Sequence, residues 1–135
     1  MSWQGYIDST YLVGSGHVDK GAIISAAGDS VWATSPGFTV KPEEMKNLVA
    51  ILNDAPGARD NAHAEGIHVA GVRYVAADTR ADDGIIYGRK QDQSGVCFTK
   101  TKQAIIIAHH AEGQIAGNAR QTVWTLAKYL IDQGY

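Results

Sequence analysis

The chain has 135 residues, 44% of them hydrophobic and 19% charged, which is the make-up of a folded globular protein and not of a disordered or fibrous one. Its formal charge of −2 is too small to draw the whole molecule to nucleic acid. A single cysteine, Cys97, excludes an internal disulfide, and the longest apolar run, Ala104–Ala108, is far short of the roughly 20 residues a membrane span needs.

The charge is uneven. Residues 1–65 hold four basic and eight acidic groups, and residues 66–135 hold eight and six, so the balance moves from −4 to +2. An anionic partner would therefore meet the C-terminal half. The opening MSWQGYIDST has no basic stretch ahead of an apolar one, so no secretory signal is expected. The expectation is one soluble, cytoplasmic domain over residues 1–135.

Ser2 can cap a short helix in which Trp3, Tyr6, Ile7, Thr10 and Tyr11 share a face, with Gly14 as its stop. At about ten residues such a helix is marginal alone and must pack on something. Ala22–Ala26 and Val31–Ser35, joined through Gly28-Asp29, read as a hairpin. Pro42 followed by Glu43 and Glu44 starts a second helix that runs to about Asn53. Ala55–Gly66 has no apolar periodicity and reads as an exposed loop.

From Ile67 onward the pattern is that of strands: Ile67–Ala70, Arg73–Thr79, Ile85–Arg89, Val96–Thr101 and Ala104–Ala108. Gly71, Asp82-Asp83-Gly84 and Gln93-Ser94-Gly95 punctuate them closely enough for an antiparallel meander. A last helix spans Ala116–Asp132. The sum is an α+β fold, with helices from the chain ends covering an antiparallel sheet.

Little of this supports catalysis. Gly14-Ser15-Gly16-His17-Val18-Asp19 begins like a dinucleotide loop, yet it lacks the third glycine and precedes a strand where phosphate binding needs a helix. His109-His110 are adjacent, so on a strand they face opposite ways and cannot chelate one metal. Asp82-Asp83 is explained by turn formation, and Cys97 by burial among apolar strand residues. No nucleophile, base and oxyanion site assembles. Neither an enzyme nor a cofactor or metal is expected.

The aromatic residues carry more. On the last helix Ala116, Ala119, Val123, Leu126, Ala127, Leu130 and Ile131 form one apolar arc, with Trp124 at one boundary and Tyr129 just beyond the other. Large amphipathic rings at such boundaries suit binding, and rings with indole or hydroxyl donors suit a polyproline II ligand with exposed carbonyls. Arg120 points partly into the arc one turn before Trp124, which is costly unless that edge stays open to solvent or a partner. Arg73, Arg89, Lys90, Lys100 and Lys102 cluster on the meander, either as a solvated sheet face or as part of a docking face.

The opening Ser2-Trp3-Gln4-Gly5-Tyr6-Ile7-Asp8, the strand Val31-Trp32-Ala33, the turn Gly88-Arg89-Lys90 and the ending Tyr129-Leu130-Ile131-Asp132-Gln133-Gly134-Tyr135 together resemble the profilin family. The resemblance runs nearly end to end, and its character is that of fungal and plant-like members. The Ala55–Gly66 segment looks longer than in plant-like members, and the Arg80–Gly84 turn lacks their Pro-Gly pair. The resemblance implies a central antiparallel sheet with the N- and C-terminal helices packed together on one face and a further helix on the other.

It also implies actin-monomer binding, faster actin nucleotide exchange, and delivery of monomers to filament ends through proline-rich partners such as formins, in the cytoplasm and cytoskeleton. Carried over by position, the polyproline groove falls on Trp3, Tyr6, Trp32, Tyr129, Leu130 and Tyr135. The actin face falls on Arg73, Lys90, Gly117, Arg120, Trp124 and Thr125. Phosphoinositide lipids would meet Arg89, Lys90, Lys100 and Lys102. The rival expectation is a polyproline-peptide adaptor of the same fold that lacks actin affinity.

Overall fold

The computed structural model describes residues 3–8, 12–79 and 84–135. The expected Ser2 cap, the Thr10 and Tyr11 positions and the Asp82-Asp83 turn lie outside these residues.

Seven strands form one antiparallel sheet: β1 (Lys20–Ser25), β2 (Val31–Thr34), β3 (Ile67–Val69), β4 (Val72–Asp78), β5 (Ile86–Arg89), β6 (Gly95–Lys100) and β7 (Ala104–His110), in the order β2-β1-β7-β6-β5-β4-β3. Among the described residues four helices accompany it: α1 (Trp3–Asp8), α2 (Pro42–Leu52), α3 (Ala58–Glu65) and α4 (Ala116–Asp132). The fold is α+β.

Strand β7 explains the layering. All seven of its residues are buried, which requires cover on both faces of the sheet. Its alternation divides the core: Ile105 and Ile107 face a cluster built with Met45, Leu48, Ile51 and Ala62 of α2 and α3. Ala104, Ile106 and Ala108 face a second cluster built with Tyr6 and Ile7 of α1 and with Ala119, Val123, Leu126 and Leu130 of α4. The terminal helices therefore share one face, as the resemblance implies, and the other face carries two helices where one was expected.

The additional helix corrects the reading of Ala55–Gly66 as an exposed loop. Helix α3 buries only Ala62, so no apolar stripe is visible in its sequence. Its formation follows from good helix formers at Ala58, Arg59, Ala62, Ala64 and Glu65 and from packing against α2. Arg59 ties the two helices, its Nε donating to the Ile51 carbonyl at 3.0 Å. A second correction concerns Gly14. It lies inside a 3-10 turn, Val13–Ser15, while α1 spans only Trp3–Asp8 among the described residues.

Two long-range features hold the α2 face. A side chain at Gly28, in the β1–β2 turn, would place its Cβ 2.7 Å from Val49 Cγ2 and 3.2 Å from the Met45 carbonyl, so only glycine lets α2 approach. Glu44, which is 4% exposed, accepts from the backbone N–H groups of Lys41 (2.8 Å), Ala70 (2.9 Å) and Gly71 (2.8 Å). One carboxylate thus caps α2 and clamps the β3–β4 turn, where Ala70 is held at φ 54.

Candidate functional site

On the side of the sheet covered by α1 and α4, aromatic rings from four places in the chain meet. Trp3 lies at their centre: its ring centroid is 4.8 Å from Trp32 of β2, 5.1 Å from Tyr135 and 5.7 Å from Tyr6. Tyr6 in turn reaches Tyr129 of α4 at 6.0 Å, and the Trp3–Tyr135 and Tyr6–Tyr129 pairs are edge-on. Helix α1 is too short to persist alone, so these ring contacts and the burial of Ile7 hold it on the sheet. Trp3, Trp32 and Tyr129 are half-buried, Tyr135 is exposed and Tyr6 is nearly covered. Leu130 differs from the other five expected groove residues. It is fully buried in the core beneath the rings and supports the groove without lining it.

Gln4 completes this arrangement and was not singled out from the sequence. Its carboxamide bridges to the edge strand, Nε2 donating to the Thr34 carbonyl at 3.1 Å and Oε1 accepting from the Thr34 N–H at 3.4 Å. This pairing occupies backbone groups of β2 and fixes the distance between Trp3 and Trp32. A glutamine one residue after a tryptophan carries no sequence signal for such a bridge.

A second surface lies along the other edge of α4. The helix packs on β6 and β7 and leaves Val75 of β4 and Arg89 of β5 exposed on the same face. Gly117, Arg120, Gln121 and Trp124 line an open hollow of about 510 Å³. Trp124 is 40% exposed, and the Lys128 ammonium sits 5.4 Å from its ring centroid. Arg120 borders this open edge, as its place in the apolar arc suggested, and it is paired as well: its Nη1 is 3.2 Å from Asp78 Oδ2 on β4. That ion pair answers the cost of a charge in the arc. It joins residues 42 apart, which is why the sequence did not reveal it.

Val75, 48% exposed, stands opposite Arg89 on this sheet face, since the flanking Tyr74 and Ala76 turn to the α2 side. Arg73 shares the alternation of Val75, and its Nε donates to the Glu65 carbonyl at 2.8 Å. Thr125 is exposed on α4, its hydroxyl donating to the Gln121 carbonyl. Of the expected actin-face residues, Gly117, Arg120 and Trp124 line the hollow. Lys90 is engaged within its own turn, 3.7 Å from Asp92.

The four expected lipid-binding residues do not form one patch. Arg89 and Lys90 lie where β5 ends opposite Gly95, whereas Lys100 and Lys102 lie at or past the far end of β6. Five residue steps along the strand separate Gly95 from Lys100, about 17 Å at the usual rise. Lys100 also turns to the α2 side, donating to Asn53 Oδ1 at 2.8 Å. Neighbours along a meander are carried to opposite ends by each strand reversal.

The adjacent histidines separate as expected. His109 Nδ1 lies 2.5 Å from Asp19 Oδ1, with the Phe38 and Tyr74 rings beside it. Burial pushes its pKa below the ordinary imidazole value, and the Asp19 bond opposes that shift. Burial, with the charge of Asp19 behind it, pushes the Tyr74 phenol up to about 12. His110 turns to the other face and meets the Tyr87 hydroxyl at 2.7 Å. A Cβ at Gly95 would stand 2.5 Å from that hydroxyl and 2.7 Å from His110 Nε2, so glycine is what allows the pair to close. Cys97 is fully buried, as expected.

One antiparallel sheet between two helix layers, with an aromatic cluster and a charged hollow on the terminal-helix side, defines the class of α+β protein. Comparison with known sequences then gives the family: the Profilin family profile matches residues 1–135, and the chain belongs to that family. It is 44% identical to Saccharomyces cerevisiae profilin over 135 residues, covering 100% of both chains. A crystal structure of Schizosaccharomyces pombe profilin superposes with a TM-score of 0.87 at 39% identity, covering 99% of this chain and 100% of that one. Mouse profilin IIa, solved in complex with a double repeat from the FH1 domain of mDia1, shares the fold at a TM-score of 0.79 and 19% identity, covering 100% of both chains.

Proposed function

We propose that residues 1–135 act as one domain that binds actin monomers, promotes their nucleotide exchange and regulates polymerisation, while a separate groove takes proline-rich partners. Family membership supports the actin half. The observation that carries the groove is Trp3 in contact with Tyr6, Trp32 and Tyr135. A polyproline II helix is already ordered and offers flat proline faces and exposed carbonyls, so rigid rings with N–H and O–H groups can bind it at small entropic cost. The mouse relative's complex with an FH1 repeat is a precedent for such a partner in the same fold.

The actin half attaches to the hollow of Gly117, Arg120 and Trp124 and the exposed residues Arg73, Val75 and Arg89 of β4 and β5. An exposed indole beside a fixed guanidinium is the type of residue pair that dominates protein interfaces. Faster nucleotide exchange needs no catalytic group here. It follows if the face binds an opened actin conformation more tightly than a closed one. Thr125 extends this face along α4, and Lys90 contributes charge from its margin.

Basic side chains in two groups support diffuse, salt-screened contact with phosphoinositide lipids and not a headgroup pocket. The protein would accordingly work in the cytoplasm on the cytoskeleton. Retention on polyproline resin and on immobilised actin monomers tests the proposal. Retention on the resin alone would identify the chain as a proline-rich peptide adaptor.

A further inference from the structure

Trp3, Tyr6, Trp32 and Tyr129 are placed by the helix or strand that bears them. Tyr135 is not. It lies beyond the end of α4 at Asp132, follows Gly134 at φ 93, and is 41% exposed. Its ring nevertheless stands at 79° to Trp3 with centroids 5.1 Å apart.

It is held from two sides, by the end of α4 and by the turn between β6 and β7. The Tyr135 carbonyl oxygen accepts from the Thr101 hydroxyl at 2.8 Å and from the Gln103 N–H. The Gly134 carbonyl accepts from Gln103 Nε2 at 3.1 Å. Thr101 is 4% exposed, and its hydroxyl is used on both sides: it accepts from the Ala104 N–H at 3.1 Å, and the Tyr135 oxygen at 2.8 Å is a nearer acceptor for its proton than the Ala104 carbonyl at 3.3 Å. The turn is itself rigid: the Thr101 N–H donates to the Ala104 carbonyl, and the Gln103 carbonyl accepts from Ala26 at 2.9 Å. On the helix side, the Tyr135 N–H donates to the Leu130 carbonyl at 2.8 Å.

We propose that Thr101 and Gln103 are positioning residues for the aromatic groove, holding Tyr135 against Trp3 before any ligand arrives. The inference rests on reading that groove as a proline-rich peptide site. Neither residue belongs to the ring cluster. Their effect on affinity is indirect: tied only through its N–H to the Leu130 carbonyl, Tyr135 would keep torsional freedom, and a ligand that must remove it binds more weakly. Bonds made in the free protein remove that cost from the binding step.

The test compares Thr101→Val, Gln103→Ala and Thr101→Ser, each alone and in a Tyr135→Ala background, using decaproline in calorimetric titrations. Proton NMR follows the Tyr135–Trp3 ring contacts. Thr101→Val should weaken decaproline binding about three- to tenfold, the effect of ordering one side chain. It should also remove the ring contacts, and Thr101→Ser should restore both. Gln103→Ala, which leaves the Thr101 hydroxyl and the turn backbone intact, should give a smaller loss in the same direction. In the Tyr135→Ala background neither change should reduce affinity further. Ring contacts that persist in both Thr101→Val and Gln103→Ala would overturn the inference, as would equal losses in the two backgrounds. Wild-type protein that ignores decaproline would refute the proline-rich reading itself. Wild type that binds, with unmoved variants, would refute only the role of the turn.

Discussion

Replacing Trp3 by alanine removes the ring on which the groove converges. Three ring contacts, to Trp32, Tyr135 and Tyr6, disappear at once. Aromatic hot spots of this kind lose about 2 kcal/mol or more on truncation, so decaproline affinity should fall at least about thirtyfold. Stability will fall as well. Trp3 is half-buried, and uncovering on the order of 100 Å² of apolar surface costs about 2.5 kcal/mol by area. Helix α1, with six residues, has little stability of its own to resist that loss. Titration calorimetry with decaproline, run beside urea unfolding of the same variant, separates the two effects. Actin-monomer affinity serves as the control and should stay within about twofold, since Trp3 and the hollow at Arg120 use different edges of α4. A folded Trp3→Ala protein that still binds decaproline like wild type would refute the assignment of the groove.

Three further outcomes are expected. Arg120→Glu breaks the half-exposed pair with Asp78 and sets two carboxylates together; it should cost about 1 kcal/mol of stability by urea unfolding and lower actin affinity at least about tenfold, with decaproline binding retained. Glu44→Gln leaves at least one of the three N–H groups now bonded to the carboxylate poorly served, and should destabilise the fold by about 2 kcal/mol without changing either binding activity. His109 has a lowered pKa in the folded state, so its contribution to stability is complete above the unfolded value near 6.5 and is lost as the pH falls below it; urea midpoints should drop between pH 7.5 and pH 5, and His109→Gln should flatten that drop. An unchanged pH dependence in His109→Gln would place the titrating group elsewhere.

Elements with strong periodicity were legible in the sequence. Helix α4 spans Ala116–Asp132 as its apolar arc indicated, and α2 begins at Pro42 as its proline and glutamates indicated. Helix α3 was not legible, because an eight-residue helix that buries one alanine has no stripe to detect. The aromatic rings hinted at a polyproline II ligand, but the set that forms the groove could be assembled only through likeness to a family, because its rings come from α1, β2, α4 and the segment after α4. What remained hidden are polar contacts made across the fold: Gln4 to Thr34, Glu44 to Ala70 and Gly71, Arg120 to Asp78, and Thr101 to Tyr135. Each joins residues at least 26 positions apart, and no local pattern requires them. The basic residues show the opposite failure. Arg89, Lys90, Lys100 and Lys102 are close in sequence, but strand reversal puts them at opposite ends of β6.

If the aromatic groove and the charged hollow, on opposite edges of α4, are independent docking surfaces, actin and a proline-rich peptide can bind the domain at once. Sedimentation velocity of the wild-type protein with actin monomers, in the absence and presence of saturating decaproline, tests it most directly. A ternary complex is expected, with the actin affinity unchanged within about twofold by the peptide, as for sites without a coupling free energy. Displacement of actin by decaproline, or the absence of any actin complex, would contradict it.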